Sequence, residues 1–282
     1  MCNPLSNDMC RFLDWLRGDS PGITNYRIEV SLCSDPGCQR PVNEDCVQFF
    51  SPPGEPQSAL AVLADGMGGH NAGEVASREA VQTLGTRYLS GVNSNPIKCL
   101  KSGLLQANAH LFSLANTNAE WFGMGTTVTA LLISQGKACL GHVGDSRLYR
   151  YRGQLLEQLS LDHTLVAAMI RDGYLSPEEA LRHPDRNIVT RALGTNPQVD
   201  VDISSTEWPI QLEDIYLLCS DGLYDLLPDR DIVAILDTHR LPEACQALVD
   251  CAKSRGGYDN ISVILLAIRE KQSLAAAPAT KI

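Results

Sequence analysis

The chain has 282 residues, 44% of them apolar and 20% charged, which is enough to bury a sizeable core in one large or two small domains. Its 33 acids against 23 Lys and Arg give a net charge of −10. That balance disfavours nucleic acid and anionic membranes as partners and suits a site that holds divalent cations. Ten cysteines follow no recognisable leader, and several lie inside apolar runs. They read as reduced packing thiols of a cytoplasmic protein, not as a disulfide framework. No CxxC pair occurs, and Cys33 with Cys38 lacks a second pair, which argues against a zinc ribbon.

In chain order, residues 1–27 form an extension whose apolar patch (Phe12, Leu13, Trp15, Leu16) is broken by Asp14 and Arg17 and is far too short to span a bilayer. A docking helix, a cover for a sheet edge and an unstructured lead all remain open for it. Strand-like runs rich in β-branched and aromatic residues occupy 26–32, 44–50 and 58–65, with a Pro/Gly-rich loop at 51–58. Helical patterns follow at 72–89, where Asn71 and Glu74 suit a capping box, and at 96–116 after an Asn-Pro start. Strands return at 126–134, 137–145 and 146–152, joined by the turn chemistry of "SQGK" and "RGQ". Ser176, Pro177 and Glu179 open a short helix. Strands at 214–221 and 260–268 enclose a last helix at 242–254, and 271–282 reads as a flexible tail. There is no internal repeat. Antiparallel runs with two long helices between the third and fourth strands predict an α+β fold: two antiparallel β-sheets packed face to face, with helices covering the outer faces.

Acids recur at the ends of these strands. "LAVLADG", "LGHVGDS" and "YLLCSDG" each carry an apolar run into a lone aspartate, at Asp65, Asp145 and Asp221. Asp259 directly precedes the last strand, and Glu44 with Asp45 begins the second. Any one of them alone is more often an ordinary Asp-Gly turn. Five such placements point elsewhere, because acids brought together repel and raise one another's pKa unless cations neutralise them. All-oxygen donors select hard cations, so Mg2+ or Mn2+ is expected. An acid shared by two ions would hold them about 3.5–4 Å apart, an arrangement that activates and positions a water for attack on a phosphoryl group.

The blocks "SDPGCQRPVNED" (34–45), "LADGMGGHNAGEVAS" (63–77), "GMGTTVTALLI" (123–133), "GHVGDSRLY" (141–149), "LLCSDGLYDLL" (217–227) and "GYDNISVIL" (257–265) appear in an order that resembles the metal-dependent protein phosphatases, the PPM or protein phosphatase 2C-like family, in its bacterial form. The resemblance spans roughly 28–270. It implies a four-layer α-β-β-α sandwich with a metal cleft at one end and a helical flap, here about 159–194, that influences substrate choice. By the same resemblance, Asp65 bridges two ions, the carbonyl of Gly66 joins one of them, and Asp221 and Asp259 complete the core site. Asp45, with Glu44 beside it, holds metal-bound water. Asp145 matches the acid that, with Asp221, supports a third and weaker ion, so two to three Mn2+ or Mg2+ ions are expected per chain. Arg40 matches the phosphate-binding arginine, whose planar fork suits two phosphate oxygens. Asn260 is expected to orient Asp259.

Two positions depart from the pattern or stay open. Met67 stands where many eukaryotic members carry histidine. His70 is either a contact to substrate or leaving group acting as general acid, or a solvated loop residue. The implied activity is that of a serine/threonine protein phosphatase that hydrolyses phosphoserine and phosphothreonine by in-line attack of an activated water. Its substrates would be phosphoproteins, targets of a Ser/Thr kinase, and it is expected to be a monomer without membrane insertion. The alternative is a catalytically silent phosphoprotein-binding module, but such relatives lose metal acids and this chain keeps Asp65, Asp145, Asp221 and Asp259. No cysteine has an arginine six positions later, which excludes a cysteine-dependent phosphatase. A phosphodiesterase could use the same carboxylates, and the block order argues against it.

Overall fold

The computed structural model describes residues 23–68, 72–91, 95–204 and 207–271. The calls on His70, on the Asn71 cap, on residues 1–22 and on the tail from 272 lie outside the described residues. Within them, the strands are β1 (Tyr26–Asp35), β2 (Asp45–Phe50), β3 (Ala59–Met67), β4 (Gly125–Thr126), β5 (Val128–Ser134), β6 (Lys137–Val143), β7 (Arg147–Arg152), β8 (Leu155–Gln158), β9 (Asp202–Ile203), β10 (Trp208–Pro209), β11 (Ile215–Cys219) and β12 (Ile261–Glu270). The helices are α1 (Ala72–Ser90), α2 (Pro96–Thr117), α3 (Leu165–Arg171), α4 (Pro177–Ala180), α5 (Asp221–Tyr224), α6 (Asp229–Thr238) and α7 (Leu241–Ser254).

One sheet runs β1-β12-β11-β7-β8 and the other β10-β6-β5-β3-β2, with β4 paired to β3 and β9 to β6. Neighbours are antiparallel throughout. Turn chemistry sets two of these pairings. Gln135 and Gly136 have φ of 51° and 73°, and Gly153 and Gln154 have 56° and 66°. Two successive positive φ values make the tight turn whose twist matches a hairpin, closing Ser134↔Lys137 and Arg152↔Leu155. The second turn creates β8, which sequence reading missed because it is a four-residue edge strand, largely exposed apart from Leu156, with no alternation of apolar and polar residues to betray it.

Side chains alternate across each strand, so every strand feeds two layers. Leu63, Leu131 and Ile133 of one sheet meet Leu148, Leu218, Ile264 and Leu266 of the other in the central core. On the reverse face, Leu60, Val62 and Ala64 pack under α1 and α2, against Ala76, Ala80, Leu84, Leu104 and Leu111. Leu217, Val263 and Leu265 do the same for α6 and α7, against Ile232, Leu248 and Val249. Each fully buried leucine contributes about 1.5–3 kcal/mol. The result is the expected α-β-β-α sandwich. It begins earlier than residue 28, however: Tyr26 is fully buried in the central core, with Ile23 packed on it. The Tyr26 hydroxyl donates to Gln57 O (2.6 Å) and accepts from Gly136 N (3.1 Å), which ties the first strand across both sheets.

The topology collects particular termini at one rim: the ends of β3, β6 and β11, and the starts of β2, β7 and β12. Here the chain crosses between sheets, at 36–44 and at Gly144–Ser146. Residues 159–194 also fold back onto this rim. His163 N donates to Gly144 O (2.8 Å), and Thr126 and Leu193 exchange both backbone bonds (3.1 and 2.9 Å). The short helix expected to open at Ser176, Pro177 and Glu179 is α4, and there Ser176 and Glu179 close a capping box. Among the described residues no helix is long and apolar enough to cross a membrane.

Candidate metal centre

Asp65 and Asp45 face each other across β2 and β3 in register. Two carboxylates directly opposite would normally destabilise a strand pair. Asp221 enters from the end of β11, where it opens α5, and Asp259 stands just before β12. Asp145 occupies the crossing turn between β6 and β7, behind Gly144. Gly144 has a φ of 110°, and a Cβ there would lie 2.5 Å from Thr127 Cβ, so only glycine lets the turn close this tightly.

The charges act on one another. The Asp65 carboxyl is held well above the usual carboxylate range, first by burial and then by Asp45, Asp221, Asp145 and Asp259. Asp221 is raised likewise, by burial and then by Asp145, Asp259 and Asp45. Burial pushes Asp45 up to about 6 against the opposing hydrogen bonds of Ser262 and Ser220, and pushes Asp145 up to about 6 with help from Asp162. Glu44 is also raised by burial, with Arg40 pulling the other way.

Hydrogen bonds fix this set from behind. Ser220 Oγ donates to Asp45 Oδ2 (2.8 Å) and accepts from Ser262 N (3.0 Å). Asp65 N donates to Thr127 Oγ1 (3.1 Å), and its carbonyl accepts from Thr126 Oγ1 (2.8 Å) and Thr127 N (2.9 Å). Gly66 N donates to Glu44 O (3.1 Å). A Cβ at Gly66 would meet Gly73 O at 2.0 Å and Glu44 O at 2.7 Å, so α1 reaches the rim only because residue 66 has no side chain.

Asn260 engages two elements at once. Its side chain accepts from Glu44 N (2.8 Å) and donates to Pro36 O (3.1 Å) and Val42 O (3.0 Å), which fastens the 36–44 crossing. Only its backbone N–H reaches Asp259, at Oδ1 (2.8 Å). Arg40, on the crossing so fastened, places Nη2 at 2.7 Å from Asp259 Oδ2. Both Asp259 oxygens are thus engaged by protein donors. Among the described residues, no three His, Cys, Asp or Glu side chains are already grouped closely enough to hold one ion.

The donors nevertheless fit hard cations. Glu44 Oε1 and Asp45 Oδ1 are buried with no hydrogen-bond partner among the described residues, which is costly for an acid oxygen unless another group supplies positive charge. Five aspartates and a glutamate offer only oxygen, the donor that Mg2+ and Mn2+ prefer.

A family model described as protein phosphatase 2C matches residues 41–252, most of the chain, including Glu44, Asp45, Asp65, Asp145 and Asp221 of this rim. The chain belongs to the protein phosphatase 2C family. It is thereby a metal-dependent phosphatase. It is 37% identical over 244 residues to the serine/threonine phosphatase stp of Listeria monocytogenes, covering 85% of this chain and 95% of that one. It is 33% identical over 249 residues to the protein phosphatase PhpP of Streptococcus pneumoniae, covering 87% of this chain and 100% of that one. Among solved structures, the serine/threonine phosphatase PstP/Ppp of Mycobacterium tuberculosis matches with a TM-score of 0.79 and 34% identity, over 86% of this chain and 99% of that one. A PstP catalytic domain in complex with two manganese ions matches with a TM-score of 0.77 and 32% identity, over 88% and 100%.

Sequence reading missed part of this phosphatase rim. Ser220, Ser262, Thr126 and Thr127 position the acids, yet as small hydroxyl residues beside strands they carry no signal of their own. His142, to which the sequence assigned no role, is fully buried; its Nδ1 pairs with Thr129 Oγ1 (3.0 Å) and its Nε2 with Leu161 O (3.1 Å). His163 Nδ1 accepts from Gly144 N (3.0 Å), beside the turn that holds Asp145.

Proposed function

We propose that Asp65, Asp221 and Asp259, with the carbonyl of Gly66, hold two divalent cations, and that Asp145 with Asp221 can take a third. Glu44 and Asp45 hold water at the same rim, and Arg40 receives the substrate phosphate. The substrate is phosphoserine or phosphothreonine in a protein. Support comes above all from the mutual electrostatic strain of Asp45, Asp65, Asp145 and Asp221 on one rim. When bound, Mn2+ or Mg2+ supplies the positive charge that a phosphoryl group requires and a nucleophile at neutral pH.

The chain's own residues supply position. Ser220 fixes the rotamer of Asp45 and leaves Oδ1 bare toward the rim. Asn260 locks the 36–44 crossing, so Arg40 is presented over the carboxylates at little entropic cost. Its half-exposed guanidinium can exchange Asp259 Oδ2 for phosphate oxygens, with two parallel N–H donors toward the monoester. The reading takes the protein as a monomer that supplies all these donors itself. Cys139, Cys219 and Cys245 are buried as free thiols, consistent with a reduced, cytoplasmic setting in which a Ser/Thr kinase supplies the substrates.

Hydrolysis of a phosphothreonine peptide by the purified chain is expected with Mn2+ and not with chelator. Failure to turn over with folded, Mn2+-supplied protein would overturn the reading. Arg40→Ala should lower kcat/KM by about ten- to a hundredfold, the loss of one charged hydrogen-bonding group. The effect should fall mainly on KM, and Arg40→Lys should not restore it, because an ammonium cannot grip two oxygens in one plane.

A further inference from the structure

A cavity of about 250 Å³ lies between the 159–194 segment and α5. Its flap wall is apolar, from Val166, Ala167 and Ile170 of α3 and Ala180 and Leu181 around α4. Its opposite wall carries Arg147, Tyr224 and Asp225, and Asp145 closes the inner end. Tyr224 O–H donates to Asp145 O (3.2 Å), and Asp145 in turn presses on the charge of Asp221. The cavity therefore begins where the acidic rim ends.

Apart from Asp145, which the phosphatase reading gives to a cation, its charged groups are already paired. Arg147 grips Asp162 through Nε (3.0 Å) and Nη2 (2.6 Å), and its guanidinium lies 3.7 Å from the centre of the Tyr224 ring. Arg186 Nη2 holds Asp225 Oδ2 at 3.1 Å. What the cavity offers a visitor is thus aliphatic surface and an aromatic face, with Leu181 at the mouth 72% exposed. A charged side chain entering it would lose water and find no partner except Asp145, which the phosphatase reading gives to a cation. The volume is below the roughly 300–1,000 Å³ of small-molecule sites and matches a single side chain.

We propose that this cavity is a specificity subsite of the phosphatase, one that takes an apolar side chain of the protein substrate close in sequence to the phosphorylated residue. An extended peptide advances only about 3.3–3.6 Å per residue, and the cavity shares Asp145 with the rim, so the side chain comes from a near neighbour of the phosphoresidue. The inference rests on the phosphatase reading above.

The test uses the full chain with Mn2+ and phosphothreonine peptides in which each flanking position carries Leu, Phe, Lys or Asp in turn. Capped phosphothreonine without neighbours is the reference substrate. One flanking position should prefer Leu or Phe over Lys or Asp by about tenfold or more in kcat/KM. Ala167→Trp, which fills the cavity, should erase that preference and leave capped phosphothreonine turnover unchanged. Should Ala167→Trp disturb folding, Leu181→Asp at the exposed mouth should erase it instead. A flat profile in the unaltered chain, or a preference that survives both substitutions, overturns the subsite. Loss of all turnover in the unaltered chain, capped phosphothreonine included, would overturn the phosphatase reading instead.

Discussion

Replacing Asp221 by asparagine is expected to cut turnover of a phosphothreonine peptide at least a hundredfold and, in the metal-free protein, to raise the melting temperature. Changing a residue that merely supports a metal ligand costs about 10–100-fold in affinity or activity, so removing a ligand's charge should reach or exceed the upper end. The gain in stability has a separate origin. The Asp221 carboxyl is held well above its ordinary range by burial and by Asp145, Asp259 and Asp45. Asparagine keeps the shape and removes the repulsion, which relaxes Asp65 and Asp145 as well. Asp221 also sits at the first position of α5, where a negative charge is favoured, but a four-residue helix has little dipole to lose. Each kcal/mol recovered should add about 2–4 °C. Calorimetry with chelator, beside steady-state assays with Mn2+, reads both effects. A variant with unaltered turnover would remove Asp221 from the ligand set. A variant that melts lower would make the acid a structural one.

That opposition between activity and stability is what makes Asp65, Asp145 and Asp221 legible in a sequence: acids stand where apolar strands should simply turn, and packing gives no reason for them. The sandwich was legible for a related reason. Strands alternating between two apolar faces demand two layers of cover, and α1, α2 and α7 sit where the helical periodicity predicts them. Elements that depend on distant partners were not legible. β9 and β10 are two residues each and exist only as pairings to β6. α6 has no side-chain cap, its N-cap being Pro228, so nothing local marks its start. The same limit applies at the rim. Ser220 and Asp45 are 175 residues apart, and Arg40 and Asp259 are 219 apart; their bonds follow from topology, which spacing does not encode. Asn260 illustrates the point most plainly. Its place beside Asp259 suggested an orienting bond, which its backbone N–H makes, while its side chain points to the crossing that carries Arg40.

Metal should stabilise this protein more strongly as pH rises. Burial and the neighbouring acids push Asp45 and Asp145 up to about 6 in the fold against an ordinary value of 3.8, and hold Asp65 and Asp221 well above that ordinary value. The folded state therefore binds protons more tightly than the unfolded chain. Without metal, the contribution of these acids is fully present below about pH 4 and is lost as pH climbs through 6 and beyond. His142 works in the other direction. Burial and the neighbouring His163 hold it down to about 4, so the unfolded chain takes up its proton first and stability rises with pH between about 4 and 6.5. The melting curve of the metal-free protein mixes these opposing trends, but the difference between curves with Mn2+ and with chelator does not. The histidine contribution is common to both and cancels, leaving the competition between cation and proton for the same carboxylates. At pH 7.5, Mn2+ at a hundred times its dissociation constant should add about 2.7 kcal/mol, or roughly 5–10 °C. At pH 5 the same concentration should add a small fraction of that, because protons already neutralise the rim. Thermal melts at fixed Mn2+ between pH 5 and 7.5, with an Asp65→Asn variant as control, measure the trend without any substrate. A Mn2+ shift independent of pH would mean that the cation binds away from these acids, and the ligand assignment would fall with it.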